Sequence, residues 1–159
     1  MAVYLRVRLR RFAKRQASVS RAAESILASI GESQSELSLE LVGDRRMRRL
    51  NRMYREKDRT TDVLAFPMRE SHNPCPMLLG DVVISVPTAV RQAKASRRSL
   101  GDELVALLVH GVLHLCGYDH ERSAREARRM RRRETAIVKR LTPVPRLVMR
   151  RAGRRTRSD

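Results

Sequence analysis

Apolar positions along this chain recur in two periods. Val3, Leu5, Val7 and Leu9 fall on every second residue, with Tyr4, Arg6 and Arg8 between them, the pattern of a strand with one buried face. Leu37, Leu39 and Leu41 repeat that spacing and predict a second strand ending at Gly43. A β-prone run from Thr61 to Phe66 stops at Pro67. The run from Gly80 to Val86 is apolar enough for a central strand.

Between these runs the period lengthens to that of a helix. Ala22, Ala23, Ile26, Leu27 and Ile30 form the apolar stripe of a helix over residues 18–30, closed by Gly31. A helix over 45–55, capped by Asp44, turns Met47, Leu50 and Tyr54 inward. Residues 71–76, with two prolines and an asparagine, read as a loop, and Pro87 opens a short helix to about residue 95. Ser99 and Asp102 make a capping box for a helix carrying Leu104, Leu107, Leu108, Val112 and Leu115, with Gly117 just past its end. A last helix spans 123–141 and is ended by Pro143 and Pro145. No internal repeat and no second domain is visible. The chain divides into a domain over 1–142 and a basic tail over 143–159 with few apolar anchors, expected to be mobile.

Charge changes the picture more than length does. The 159 residues hold 35 Lys and Arg against 17 Asp and Glu, a formal net charge of +18. Solubility needs less than this, so an extended anionic partner is expected, and nucleic acid is the usual one. Residues 121–159 alone hold 15 basic against 4 acidic side chains. One account is a solvated helix face and tail; the one preferred here is a tether to structured nucleic acid through phosphates, without base reading. No apolar run reaches the roughly 18 residues of a membrane span, and no partner membrane is expected. The Arg-rich N-terminus superficially resembles a transit peptide, but its alternation reads better as a strand. Cys75 and Cys116 form neither a CxxC pair nor a disulfide-type spacing, which fits a reducing, cytoplasmic location. Cys116, among apolar residues, is expected to be a small core residue.

Three of the four histidines, His110, His114 and His120, fall within eleven residues. His110 and His114 stand four apart on a predicted helix, so their imidazoles project from one face about one turn apart. Gly117 can break that helix and let His120 swing back with a third nitrogen. Three neutral imidazoles with a fourth position open form a catalytic rather than a closed structural zinc geometry. A water held there is acidified from a pKa of about 15.7 towards about 7. Unrelated core or surface histidines are the plainer alternative, but the full HxxxHxxGxxH spacing across a helix stop is specific. Imidazoles also suit nickel and copper. The metzincin proteases read HExxHxxGxxH. Here Gly111 takes the place of their glutamate, so the metal cage is kept while the peptidase base is missing. His72 reads as a surface residue of the Pro-rich loop.

Two further clusters accompany the histidines: Asn51 with Tyr54-Arg55 and the run Thr61 to Pro67 (TDVLAFP), then Leu79-Gly80-Asp81. In order and spacing these segments, with HGVLHLCGYDH over 110–120, resemble the YbeY family of endoribonucleases. Ala65 stands where the family usually has Ser, and Met130 and Glu134 also fit its pattern. The likeness covers roughly residues 40 to 140; the tail after about 142 is peculiar to this chain. The resemblance implies one α/β (α+β) domain, a small mixed sheet flanked by helices with the metal site at one edge. It implies one zinc per chain on His110, His114 and His120, and Arg55 as the catalytic arginine, whose planar fork suits phosphate. It further implies hydrolysis of single-stranded RNA, in small-subunit ribosomal RNA 3′-end maturation and ribosome quality control, with the small ribosomal subunit as partner. Asp62 and Asp81 are expected as strand-end or turn residues rather than partners of the histidines. Asp119 is expected to orient the His120 turn and Tyr118 to line the cleft. A metallohydrolase of another class, such as a peptidase, and a non-catalytic RNA-binding protein with structural zinc are the rival readings.

Overall fold

The strands β1 (Ala2–Val7), β2 (Glu36–Val42), β3 (Val63–Pro67) and β4 (Leu78–Ser85) form one sheet in the order β1-β2-β4-β3. The structure is a computed structural model that describes residues 2–69 and 77–141. β1, β2 and β4 run parallel, while β3 pairs antiparallel with β4 and forms the edge. The edge position explains why Pro67 can belong to β3: its missing N–H is not needed by an inner neighbour.

The helices are α1 (Gln16–Ser29), α2 (Asp44–Arg55), α3 (Val86–Ala95), α4 (Leu100–Leu115) and α5 (Ala124–Arg140). α4 is apolar almost all round, with Leu104, Val105, Leu107, Leu108, Val109, Val112 and Leu113 buried. A helix of that kind can only sit at the centre. It packs against β3, β4, α3 and α5, and its side chains join Leu37, Leu39, Val82 and Ile84 of the sheet and Ile26 and Leu27 of α1 in the main core. α2 covers part of the other sheet face, burying Met47 over Val42, Leu64 and Val83. The sheet is thus mixed and helix-flanked within a single domain, as expected. Among the described residues no helix is long and apolar enough to cross a membrane.

Capping follows the sequence closely. Ser99 Oγ accepts the Asp102 N–H at 3.1 Å, and Gly117 adopts φ +96° just past the end of α4. Ser123 does the same for α5, accepting the Glu126 N–H at 3.1 Å. Three details depart from the pattern reading. A 3-10 helix over Arg10–Arg15 precedes α1 and sends Phe12 into the core. Tyr54 is 62% exposed, its ring edge-on to Phe66, while Asn51 is buried beneath α2 beside Met47. The α2-side core is too shallow to reach Tyr54, and Asn51 is admitted because its amide is satisfied. Asp44 is the first residue of α2 and not its cap, which is Gly43. The Asp44 carboxylate instead accepts from Ser85 and Thr88, both at 2.7 Å, and pairs with Arg91 at 2.9 Å. Partial burial pushes this carboxyl up, but those partners outweigh it and hold it at about 2.

Gly80 shows why the LGD segment needs glycine. The β2–β4 register shifts between Glu36 and Leu37, and Gly80 takes φ +146° where the strand bulges. A side chain there would run into the Phe66 carbonyl of β3 and the Leu115 side chain of α4. The bulge therefore lets β3 and the end of α4 approach each other, which is where the histidines lie. His72, Cys75 and the tail over 143–159 lie outside the described residues.

Candidate metal centre

His110 and His114 occupy the one strip of α4 that is not covered by core. Cys116 ends the helix, Gly117 reverses the chain, and Asp119 then shapes the next turn by accepting the Glu121 N–H at 2.9 Å. That Asx turn aims His120 back at the helix, the role expected of Asp119. His114 Nε2 lies 3.2 Å from His110 Nε2 and 3.0 Å from His120 Nδ1, and the three nitrogens all fall within 4.8 Å of one another. Nitrogens bonded to one tetrahedral ion at about 2.0–2.1 Å would be spaced about 3.3–3.4 Å apart. The three imidazoles are therefore already convergent on a point that can hold a single metal ion. Burial, then the neighbouring His110 and His120, depress the His114 pKa. That favours the neutral imidazole, the ligating form.

Behind the site, His110 Nδ1 is 2.5 Å from Glu134 Oε1 of α5. A carboxylate on Nδ1 keeps the proton there and leaves Nε2 bare to face the centre. Glu134 is a site residue to which pattern reading assigned no role, as are Lys57 and Arg59 of the cleft that His110 also lines. The signal for Glu134 was present: on α5 it shares the inward side with buried Met130 and Ile137, where an acid needs a partner. Glu134→Gln is expected to weaken metal binding about tenfold to a hundredfold, with an unchanged melting temperature for the metal-free protein. Competition against a chromogenic chelator measures this; unchanged affinity would mean that Glu134 does not orient His110.

In front of the histidines opens a cleft of about 330 Å³, walled by the end of α2, the segment 57–62, β3 and the turn after α4. Arg55, Lys57 and Arg59 line it together with His110, His114 and His120. The left-handed residue Glu56 (φ 57°) ends α2 and directs the following chain around the cleft. Asn51 fastens that segment: its side-chain amide donates to the Arg59 carbonyl at 2.8 Å, and its own carbonyl accepts the Lys57 N–H. The buried asparagine of the Asn/Tyr-Arg element is thus what places two cations in the cleft wall. Arg55 Nη2 is 3.7 Å from Glu121 Oε1, a long, solvent-exposed pair that holds the guanidinium loosely.

The remaining candidates separate clearly. Asp62 accepts the Val63 N–H at 2.7 Å and the Gln92 amide at 3.2 Å, so it serves as a strand-end cap. Asp81 lines a groove on the α2 side of the sheet with Glu40, Arg46 and Phe66, away from the histidines. Tyr118 does not line the cleft; it packs against the core with the Arg129 guanidinium 4.9 Å above its ring. Burial raises the Cys116 thiol to about 11, so it is an inert, partly buried packing residue.

Three convergent imidazoles at the end of a buried helix, beside an edge strand and open to a cleft lined by Arg55, Lys57 and Arg59, define an α/β protein with a candidate metal site of the open kind. A family model described as Endoribonuclease YbeY matches residues 7–142. The chain belongs to the YbeY family. It is 54% identical over 117 residues to the Endoribonuclease YbeY of Anaeromyxobacter sp. (strain Fw109-5), covering 74% of this chain and 60% of that protein. It is 41% identical over 136 residues to that of Aquifex aeolicus, covering 86% of this chain and 90% of that protein. Among these relatives, then, the chain spans 60% of the length of the Anaeromyxobacter protein and nearly all of the Aquifex one. The solution structure of TM1509 from Thermotoga maritima superposes with a TM-score of 0.61 at 25% identity, covering 86% of this chain and 87% of that one.

Proposed function

We propose that this protein is a zinc-dependent endoribonuclease that hydrolyses phosphodiester bonds in single-stranded RNA, acting on small-subunit ribosomal RNA near its 3′ end in the cytoplasm. The observation that carries this reading is a single cleft that brings three convergent imidazoles together with Arg55, Lys57 and Arg59. Neutral nitrogen donors with an open side fit a catalytic zinc, which supplies a Lewis acid at the scissile phosphate and acidifies water. The endoribonuclease names of the relatives and the net charge of +18 support RNA as the substrate. The small ribosomal subunit and ribosome quality control enter through the family alone.

The chain's own residues divide the work. His110, His114 and His120 hold the ion, with the His110 ring fixed by Glu134. Arg55 reaches the non-bridging phosphoryl oxygens and stabilises the charge that builds on them during attack, since a guanidinium offers two parallel N–H donors and stays charged. Lys57 and Arg59 neutralise phosphates flanking the scissile bond. Nothing favours the peptidase reading: Gly111 offers no base, and a side chain at that position would crowd Val82 and Val63.

The test combines elemental analysis with cleavage of a single-stranded RNA, with and without chelator. About one zinc per chain and chelator-sensitive cleavage are expected. Arg55→Gln avoids setting a second carboxylate beside Glu121. It should lower the cleavage rate at saturating RNA by about a hundredfold to a thousandfold while metal content and melting temperature stay as in the wild type. A change of less than a few-fold would make Arg55 a bystander.

A further inference from the structure

α5 is a helix with two unlike sides. Met130 and Ile137 are buried, Val138 packs partly against the core, and Glu134 holds His110. The opposite side carries Arg125, Arg128, Arg132 and Lys139, all exposed and close to one line along the axis. Seventeen residues hold eight Lys and Arg against Glu126 and Glu134. Both acids are already engaged, Glu134 by His110 and Glu126 by Arg129 at 3.7 Å. Arg125, Arg128 and Arg132 are three and four residues apart, so their charges repel on a helix surface at a cost of about 0.2–0.5 kcal/mol per pair. Arg128, Arg131 and Arg132 also converge, with Thr135, around a shallow recess. The chain keeps this cost on a helix whose other side buttresses the metal centre.

We infer that the outer face of α5 is a docking ridge for the phosphate backbone of base-paired RNA, adjoining the single strand that the cleft cuts. This rests on the endoribonuclease reading and adds to it where the substrate is held. The ridge from Arg125 to Lys139 is a rigid rod of about 21 Å, with no Phe, Tyr or Trp anywhere in α5. Surfaces that track a length of single strand commonly add aromatic platforms on which successive bases stack, and the α5 face offers none. A straight, aromatic-free row of guanidinium groups instead suits a duplex, which proteins recognise by shape and phosphate position. Such contacts add affinity with no sequence preference and leave the chemical step to the cleft.

The triple variant Arg125→Gln, Arg128→Gln, Arg132→Gln keeps helix-forming side chains and removes three charges. Its binding is measured by titration, over a series of salt concentrations, against two RNAs: a hairpin with a single-stranded 3′ extension, and the extension alone. Hairpin affinity should fall at least tenfold, and the slope of log affinity against log salt should flatten by up to about 0.9 per lost contact, taking the helical value. Affinity for the extension alone, its cleavage rate at saturation, and metal content should match the wild type. Unchanged hairpin affinity and slope would overturn the ridge and leave a solvated helix face. Equal loss on both RNAs would also overturn it, by making α5 part of the single-strand path. A wild-type protein that cuts neither RNA but binds the hairpin in this variant-sensitive way would refute the nuclease reading and uphold the ridge.

Discussion

His114→Ala is expected to weaken metal binding by more than the roughly hundredfold loss that changing an outer-shell partner can produce. His114 is the middle member of the centre: its Nε2 is the atom that lies beside both the His110 and the His120 nitrogens. Removing it leaves two donors that do not define a tetrahedral site. The fold should survive, because α4 is held by an apolar core assembled from sheet and helices without help from a ligand. Elemental analysis of the purified variant reads the loss directly. A wild-type melting curve in chelator should overlay that of the variant, since metal stabilises only the form that binds it. His72→Ala, at the fourth histidine, should keep its metal. Equal metal content in the two variants would refute the assignment of the centre.

Gly111→Glu is expected to destroy the fold rather than create a peptidase. On paper this substitution restores the metzincin motif. In the structure Gly111 is buried where α4 crosses the sheet, and a Cβ there would come within 2.8 Å of Val82 Cγ1 and 3.3 Å of Val63 Cγ2. Overpacking by even a few atoms costs about 1–3 kcal/mol, and a carboxylate forced against valines adds the larger cost of an unpaired buried charge. Against a total stability of about 5–15 kcal/mol, the variant should be unfolded or aggregated at room temperature. Gly111→Ala is the graded control. Its gain in helix propensity of about 1 kcal/mol partly offsets the overlap with Val82, so a small fall in the urea midpoint is expected. A Gly111→Glu protein with a wild-type midpoint would show that α4 does not rest on β3 and β4 as described.

These two positions also show how far a linear reading reaches. The elements were legible because local rules set them. Alternation marked β1 and β2, the apolar repeat marked α1 and α4, and Ser99 and Gly117 bracketed α4 through caps that depend on neighbouring residues only. The three histidines were legible for the same reason, since four residues of helix and a glycine stop determine where their rings can point. Gly111 was visible as a missing base, but the reason for it was not. Nothing within the helix demands glycine there; the demand comes from Val82, far away in sequence.

What the sequence by itself determined is therefore the candidate metal-binding segment and most of the elements, each set by residues within a few turns of one another, together with the charge surplus, which is a matter of composition. Only the tertiary structure decided which side chains share the centre. Glu134 meets His110 across 24 positions of sequence because α5 folds back on α4. Arg55, Lys57 and Arg59 share a cleft with the histidines because buried Asn51 ties down the segment that follows left-handed Glu56. Tyr54 was misplaced for the complementary reason: periodicity says which side of a helix is apolar, but the depth of the core beneath it depends on what the other elements leave uncovered.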